Sequence, residues 1–180
     1  MQWPNLLLIC GVFAAVLGCN ANDVVAPAQQ EQQDTTEQAA VLDSVAYYCN
    51  QIDSGVADQP FLESAAKVFV ANDSIVSSSA EYLMKAGLTC LQVPEYHWYG
   101  VNYLIRISKK YPSHPWAPEA LMQIALFYDN VANDTPKSQE ILRLLLERYP
   151  NCALAEDAKA LLAFMGTTAE ELEQVKNWNK

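Results

Sequence analysis

Apolar positions along the chain change their period twice. Leu6 to Leu17 form an unbroken apolar run, Asn20 to Gln38 carry almost no large apolar residue, and from Ala39 onward apolar residues recur at steps of three and four. The last pattern is that of amphipathic helices. Val41, Leu42, Val45, Tyr48, Cys49 and Ile52 predict a first helix that stops near Asp53-Ser54-Gly55. Phe61, Leu62, Ala65, Val68 and Phe69 predict a second from about Pro60 to Ala71, with Asn72-Asp73-Ser74 as its stop. No segment alternates apolar and polar residues for long, so no sheet is expected and the fold class is all-α.

The later chain repeats itself with an offset of 38 positions. That offset carries Tyr111-Pro112-Ser113 onto Tyr149-Pro150-Asn151, and Glu81, Leu83 and Met84 onto Glu119, Leu121 and Met122. It also carries Gly87 onto Ala125 and Ala125 onto Ala163. A small residue at one phase of successive helices marks the point where a neighbouring helix crosses closest. Ala125 with Tyr128, followed by Ser138, Leu142, Leu145 and Pro150, resembles the helix A and helix B pattern of a tetratricopeptide repeat. Gly87, then Gly100, Leu104, Ile107 and Pro112, form the preceding unit. The offset exceeds the usual period of about 34, and the surplus is expected in the turns LQVPEY and DNVANDT rather than in the helices. Ala155 to Met165 repeat the helix A phase once more, Gly166 suits a left-handed helix stop, and Thr168 with Glu171 forms a capping box for a last helix, Ala169 to Trp178. The resemblance implies a right-handed superhelical array of antiparallel helix pairs over residues 39–180. About three hairpins and a C-terminal capping helix would make it up.

The unit endings, Tyr-Pro-Ser or Tyr-Pro-Asn, with a restart at Ala-Pro-Glu-Ala, resemble repeats of bacterial envelope lipoproteins. These are of the outer-membrane assembly and Tol-Pal-associated kinds, and above all the short repeat lipoproteins of Bacteroidota. The N-terminus fits that company. Its apolar run is too short to span a bilayer but matches the core of an export signal, and Val16-Leu17-Gly18-Cys19 resembles a lipobox. The implied organisation is a signal peptide over 1–18, acylation of Cys19, and a polar tether over 19–38 whose composition cannot bury a core. The implied location is the outer membrane, lipid-anchored, at its periplasmic face.

Charge and chemistry narrow the function. A net charge of −10 and a single tight basic cluster, Arg106, Lys109 and Lys110 at a helix end, argue against nucleic acid as a partner. Cys49, Cys90 and Cys152 have no metal-ligand spacing and are expected as buried thiols, with one disulfide among them left open. His97 and His114 lack a nucleophile or ligand pattern, so both are expected to be surface or packed side chains. The adjacent acids Glu156-Asp157 and Glu170-Glu171 do not face each other on a helix, and first-turn acids complement the helix dipole. Asn72-Asp73-Ser74 and Asn133-Asp134-Thr135 read as helix stop and restart signals. Neither an enzyme nor a metal or cofactor is expected.

What remains is a surface. In the repeat family the ligand-facing side of helix A uses the second, fifth and ninth positions of each unit. Carried onto this chain, these are Glu81, Met84 and Leu88, then Glu119, Met122 and Leu126, then Asp157, Ala160 and Phe164. The implied partner is a peptide or helix of an envelope protein, held by adaptable apolar side chains beside an acidic row. Two other readings stand beside it. The first helix, Val41 to Ile52, can fill the groove and leave a structural subunit, or Tyr96, Trp98, Tyr99 and Tyr103 can supply an aromatic platform for cell-wall glycan.

Overall fold

The computed structural model describes the backbone of residues 27–166 and side chains from residue 39 onward, except that of residue 41. The chain divides into two units between Glu37 and Gln38. Of the first unit only the helical segment from Pro27 is described; the second holds the core and the surfaces that bear on function. Neither Cys19 nor the capping helix expected over 169–178 lies within the described residues.

Eight α-helices and one 3-10 turn make up the described chain, with no strand among the described residues. They are α1 (Pro27–Asp53), α2 (Gln59–Ala71), α3 (Asp73–Val76), α4 (Ala80–Cys90), the 3-10 turn Pro94–Tyr96, α5 (His97–Lys110), α6 (Trp116–Asn130), α7 (Thr135–Arg148) and α8 (Ala155–Phe164). The all-α expectation holds. One boundary differs: α1 begins at Pro27, so residues 27–38, expected as a tether, are helical. Poor core-forming capacity does not forbid a helix, since Ala, Gln and Glu are good helix formers and proline is tolerated at a first turn.

The punctuation follows the sequence. Gly55 closes α1 and Gly166 follows α8, both with φ near +85°, a conformation that costs glycine little. Asp58, Ser79 and Asp134 each accept a backbone N–H three residues on, at 3.1, 3.0 and 3.0 Å, and so start α2, α4 and α7. Asn72 ends α2, and Asn133 takes φ +53° just before the Asp134 cap. Both Asn-Asp pairs therefore sit at helix ends.

Consecutive helices pack as pairs, α4 with α5 and α6 with α7, and α5 and α7 pack in turn on α6 and α8. The pairs share local geometry. Tyr111 caps α5 at φ −128°, ψ 53°, and Tyr149 caps α7 at φ −131°, ψ 53°. Helix B starts at the same register in both pairs, at His97 and Thr135. Part of the long offset lies elsewhere than expected, because α6 runs two positions beyond the register at which α4 ends. Pro94 supplies the reason. It holds Val93 extended (φ −119°, ψ 111°) and the first pair must turn early, whereas Asp129-Asn130 impose no such break.

The helices enclose one core in which Leu83, Leu104, Ile107, Leu121, Ile124, Leu142, Leu145 and Leu162 are wholly buried. Close approach at the centre of each pair is enforced by small residues. A Cβ on Gly87 would lie 2.6 Å from Leu104 Cγ, and one on Gly100 would lie 2.9 Å from the Gly87 carbonyl oxygen. At the same register of the second pair, the Ser138 hydroxyl donates to the Ala125 carbonyl at 2.8 Å.

Candidate functional site

The helix A stripe divides by burial. Met84 and Met122 are 7% and 5% exposed and belong to the core, so neither presents its side chain to solvent. Leu88 and Leu126 are half-buried and pack against that core. Glu81, Asp157 and Ala160 are exposed, and Glu119 is half-buried, its carboxylate accepting from Gln123 Nε2 at 2.8 Å. Phe164, at the end of α8, is the most open large apolar residue among those described, 88% exposed. The structure therefore brings the methionines inward and leaves the far end of the stripe outward.

The near end is occupied. Val45 and Cys49 of α1 are buried, and Tyr48 packs on Phe61 and Phe69 of α2 with ring centres 5.2 and 6.4 Å apart. Asp53, the last residue of α1, pairs with Lys85 Nζ at 2.6 Å, and the same nitrogen reaches Glu81 at 2.6 Å. Burial works against the Lys85 charge, but the hydrogen bonds to Asp53 and Glu81 outweigh it and its pKa is raised. Ala46, Cys49 and Asn50 of α1 face Ser79, Glu81, Tyr82 and Lys85 across a small hollow. The C-terminal part of α1 thus lies along the Glu81 and Lys85 edge of α4.

The thiols and histidines are packed groups. Cys49, Cys90 and Cys152 are all free, the first two buried. Burial pushes the Cys49 thiol up to about 11, with Lys85 opposing and Asp53 and Glu81 adding, and pushes Cys90 up to about 12. Neither is a nucleophile near neutral pH. His97 lies edge-on to Phe127 at 4.8 Å, while His114 Nδ1 accepts from the Trp116 N–H at 3.2 Å and steadies the start of α6. Among the described residues no group of His, Cys, Asp and Glu is arranged to hold a metal ion, and no described helix is long and apolar enough to cross a membrane.

A second surface lies on α5. Trp98 and Tyr99 are 69% and 44% exposed and flank a hollow of about 360 Å³ shared with Asn102, Arg106, Val70 and Asp73. Arg106 donates to Asp73 Oδ1 at 2.5 Å and to Ser77 Oγ at 2.8 Å, and its guanidinium lies 5.5 Å from the centre of the Tyr103 ring. Tyr103 forms the floor. It is buried, donates to the Phe69 carbonyl at 3.2 Å, and has its pKa raised, mainly by burial. Tyr96 has its ring centre 6.2 Å from that of Tyr99 but lines a different hollow, with Glu63, Lys67 and Glu95. The aromatic members of this site were visible in the sequence, but its polar members were not. The available signal was the four-residue step from Trp98 to Asn102 to Arg106, which puts them on one helix face. In comparisons with known proteins, no family model, no curated protein and no solved structure matches this chain.

Proposed function

We propose that this chain is a lipid-anchored, tetratricopeptide-like scaffold of the bacterial cell envelope, held at the membrane through Cys19. It captures an apolar helix or peptide segment of another envelope protein on the helix A side of its second and third units. The observation that carries this reading is the uneven occupancy of that side. α1 lies along the α4 end, where Met84 is buried, whereas Phe164 on α8 is 88% exposed with Asp157 and Ala160 open beside it. An apolar side chain so open, on the same helix as the exposed Asp157 carboxylate, suits a partner with apolar and basic groups. The repeat arrangement draws support from the matched Tyr111 and Tyr149 caps and from small residues at one register of both pairs. An array of this kind would be right-handed and superhelical.

Photo-crosslinking in the native envelope tests the proposal. A photoreactive residue at Phe164 or Leu126 should trap discrete partner bands, and Phe164→Glu should abolish capture of the same partner while the circular dichroism spectrum is unchanged. Crosslinks that persist in Phe164→Glu would count against it. The anchor is tested separately: palmitate incorporation must disappear in Cys19→Ser. A structural subunit with a self-filled groove is the second reading, favoured by the burial of Met84 and Met122. It expects Phe164→Glu to leave every envelope contact intact.

A further inference from the structure

The α5 hollow is separate from the helix A stripe, and its chemistry differs. We infer that the hollow formed by Trp98, Tyr99, Asn102, Arg106 and Asp73 binds a neutral oligosaccharide. Three features point there. First, a volume of about 360 Å³ falls at the small end of the roughly 300–1,000 Å³ usual for ligand pockets, too tight for a helix and adequate for a short stretch of sugar rings. Second, an exposed indole and an exposed phenol offer flat apolar faces for the C–H side of a pyranose ring, and both carry a polar handle. Third, the polar groups between them are planar and multidentate. The Asn102 amide makes only one long bond, 3.5 Å to the Trp98 carbonyl, and the Arg106 bonds to Asp73 and Ser77 both leave from one terminal nitrogen. The remaining amide oxygen and guanidinium N–H groups are available to sugar hydroxyls.

Charge selects within the saccharides. Asp73 and Arg106 neutralise each other inside the hollow, so a polyanionic glycan gains nothing there. An apolar protein segment laid over the hollow would strip water from that ion pair without replacing its lost hydrogen bonds, which is costly. Hydroxyl groups replace them.

Isothermal titration of the full chain carrying Cys19→Ser, with cellotetraose, maltotetraose and chitotetraose as separate probes, tests the assignment. At least one probe should bind with a Kd below about 1 mM, roughly −4 kcal/mol. Trp98→Ala should weaken that binding at least tenfold, Asn102→Ala should weaken it severalfold, and Trp98→Phe should retain most of it. Trp98 is 69% exposed, so the Trp98 variants should keep the parent's melting curve. Phe164→Glu should not alter saccharide binding, which separates a failure here from a failure of the scaffold reading. The inference is overturned if none of the three probes binds, or if binding survives Trp98→Ala unchanged. It is equally overturned if Trp98→Ala removes an envelope protein partner while no saccharide binds, which would make the hollow a protein-docking site.

Discussion

The α4/α5 pair and the α6/α7 pair solve one packing problem in two ways. In the first, Gly87 faces Gly100 and the approach is so close that a Cβ on either would meet Leu104, Leu91 or a backbone carbonyl at 2.6 to 2.9 Å. In the second, the same register holds Ala125 and Ser138, and the space that a glycine leaves empty is used by a hydroxyl bonded to a main-chain carbonyl at 2.8 Å. The first pair trades helix propensity for intimacy, since glycine inside a helix costs roughly 0.5–1 kcal/mol relative to alanine. The second keeps its propensity and adds a buried hydrogen bond, worth about 1 kcal/mol net. A repeat therefore preserves a close helix contact at one register rather than a residue type.

The largest way to break this contrast is at the leucine beneath it. Leu104→Ala should destabilise the fold by about 2–5 kcal/mol, and so should Leu142→Ala at the same register. The two differ in rescue. Gly87→Ala alone should cost about 1–3 kcal/mol through overpacking, yet become neutral or favourable beside Leu104→Ala, because the Cβ enters the space vacated. Urea unfolding of the four-member cycle measures this coupling, and purely additive losses would refute the clash. Next in size, Gly100→Ala should cost about 1–3 kcal/mol because its nearest obstacle includes a carbonyl that cannot rotate away. Ser138→Ala, losing only the hydroxyl, should cost about 1 kcal/mol.

The capping tyrosines sharpen the contrast at a smaller scale. The Tyr111 hydroxyl reaches the Ser78 carbonyl at 3.0 Å, whereas the buried Tyr149 hydroxyl has no partner. Tyr111→Phe should therefore cost about 1 kcal/mol and Tyr149→Phe nothing, or slightly stabilise, since removing an unsatisfied hydroxyl removes its desolvation cost. Equal losses in thermal melts would contradict this assignment. Smallest at ordinary pH is an alkaline slope carried by the first pair. Cys90 sits where the second pair has half-buried Tyr128, and its pKa is raised by burial from 9.0 to about 12. Its contribution is whole below the ordinary thiol value and is lost as pH rises through the folded one, with a loss under about 1 kcal/mol at pH 9. Unfolding midpoints at several pH values from 8 to 10 should fall less steeply in Cys90→Ala than in the parent.

Local rules explain why so much of the fold was legible. Gly55, Asn72, Asp134 and Gly166 each act within one turn of their own position, and the small-residue register survives substitution of Gly by Ala or Ser. The extent of α1 was not legible in that way, because a polar segment with good helix formers carries no apolar period to announce it. The surface was only half legible. Positions borrowed from a repeat family fix a helix phase but not what packs against it, and Met84 and Met122 are covered by tertiary neighbours that no local pattern records. The polar members of the α5 hollow were missed for a related reason: Asp73 and Arg106 lie 33 positions apart and meet only once α3 and α5 are packed.

The buried thiols carry a consequence for biogenesis. Under the proposed export, the chain would enter an oxidising compartment before folding, with Cys49 and Cys90 open to mispairing. In the folded chain both sulfurs are buried, and only the half-buried Cys152 stays accessible among the described cysteines. Under that proposal folding would race oxidation, and short-range helix pairing, which proceeds quickly in chains rich in local contacts, would favour the reduced native state.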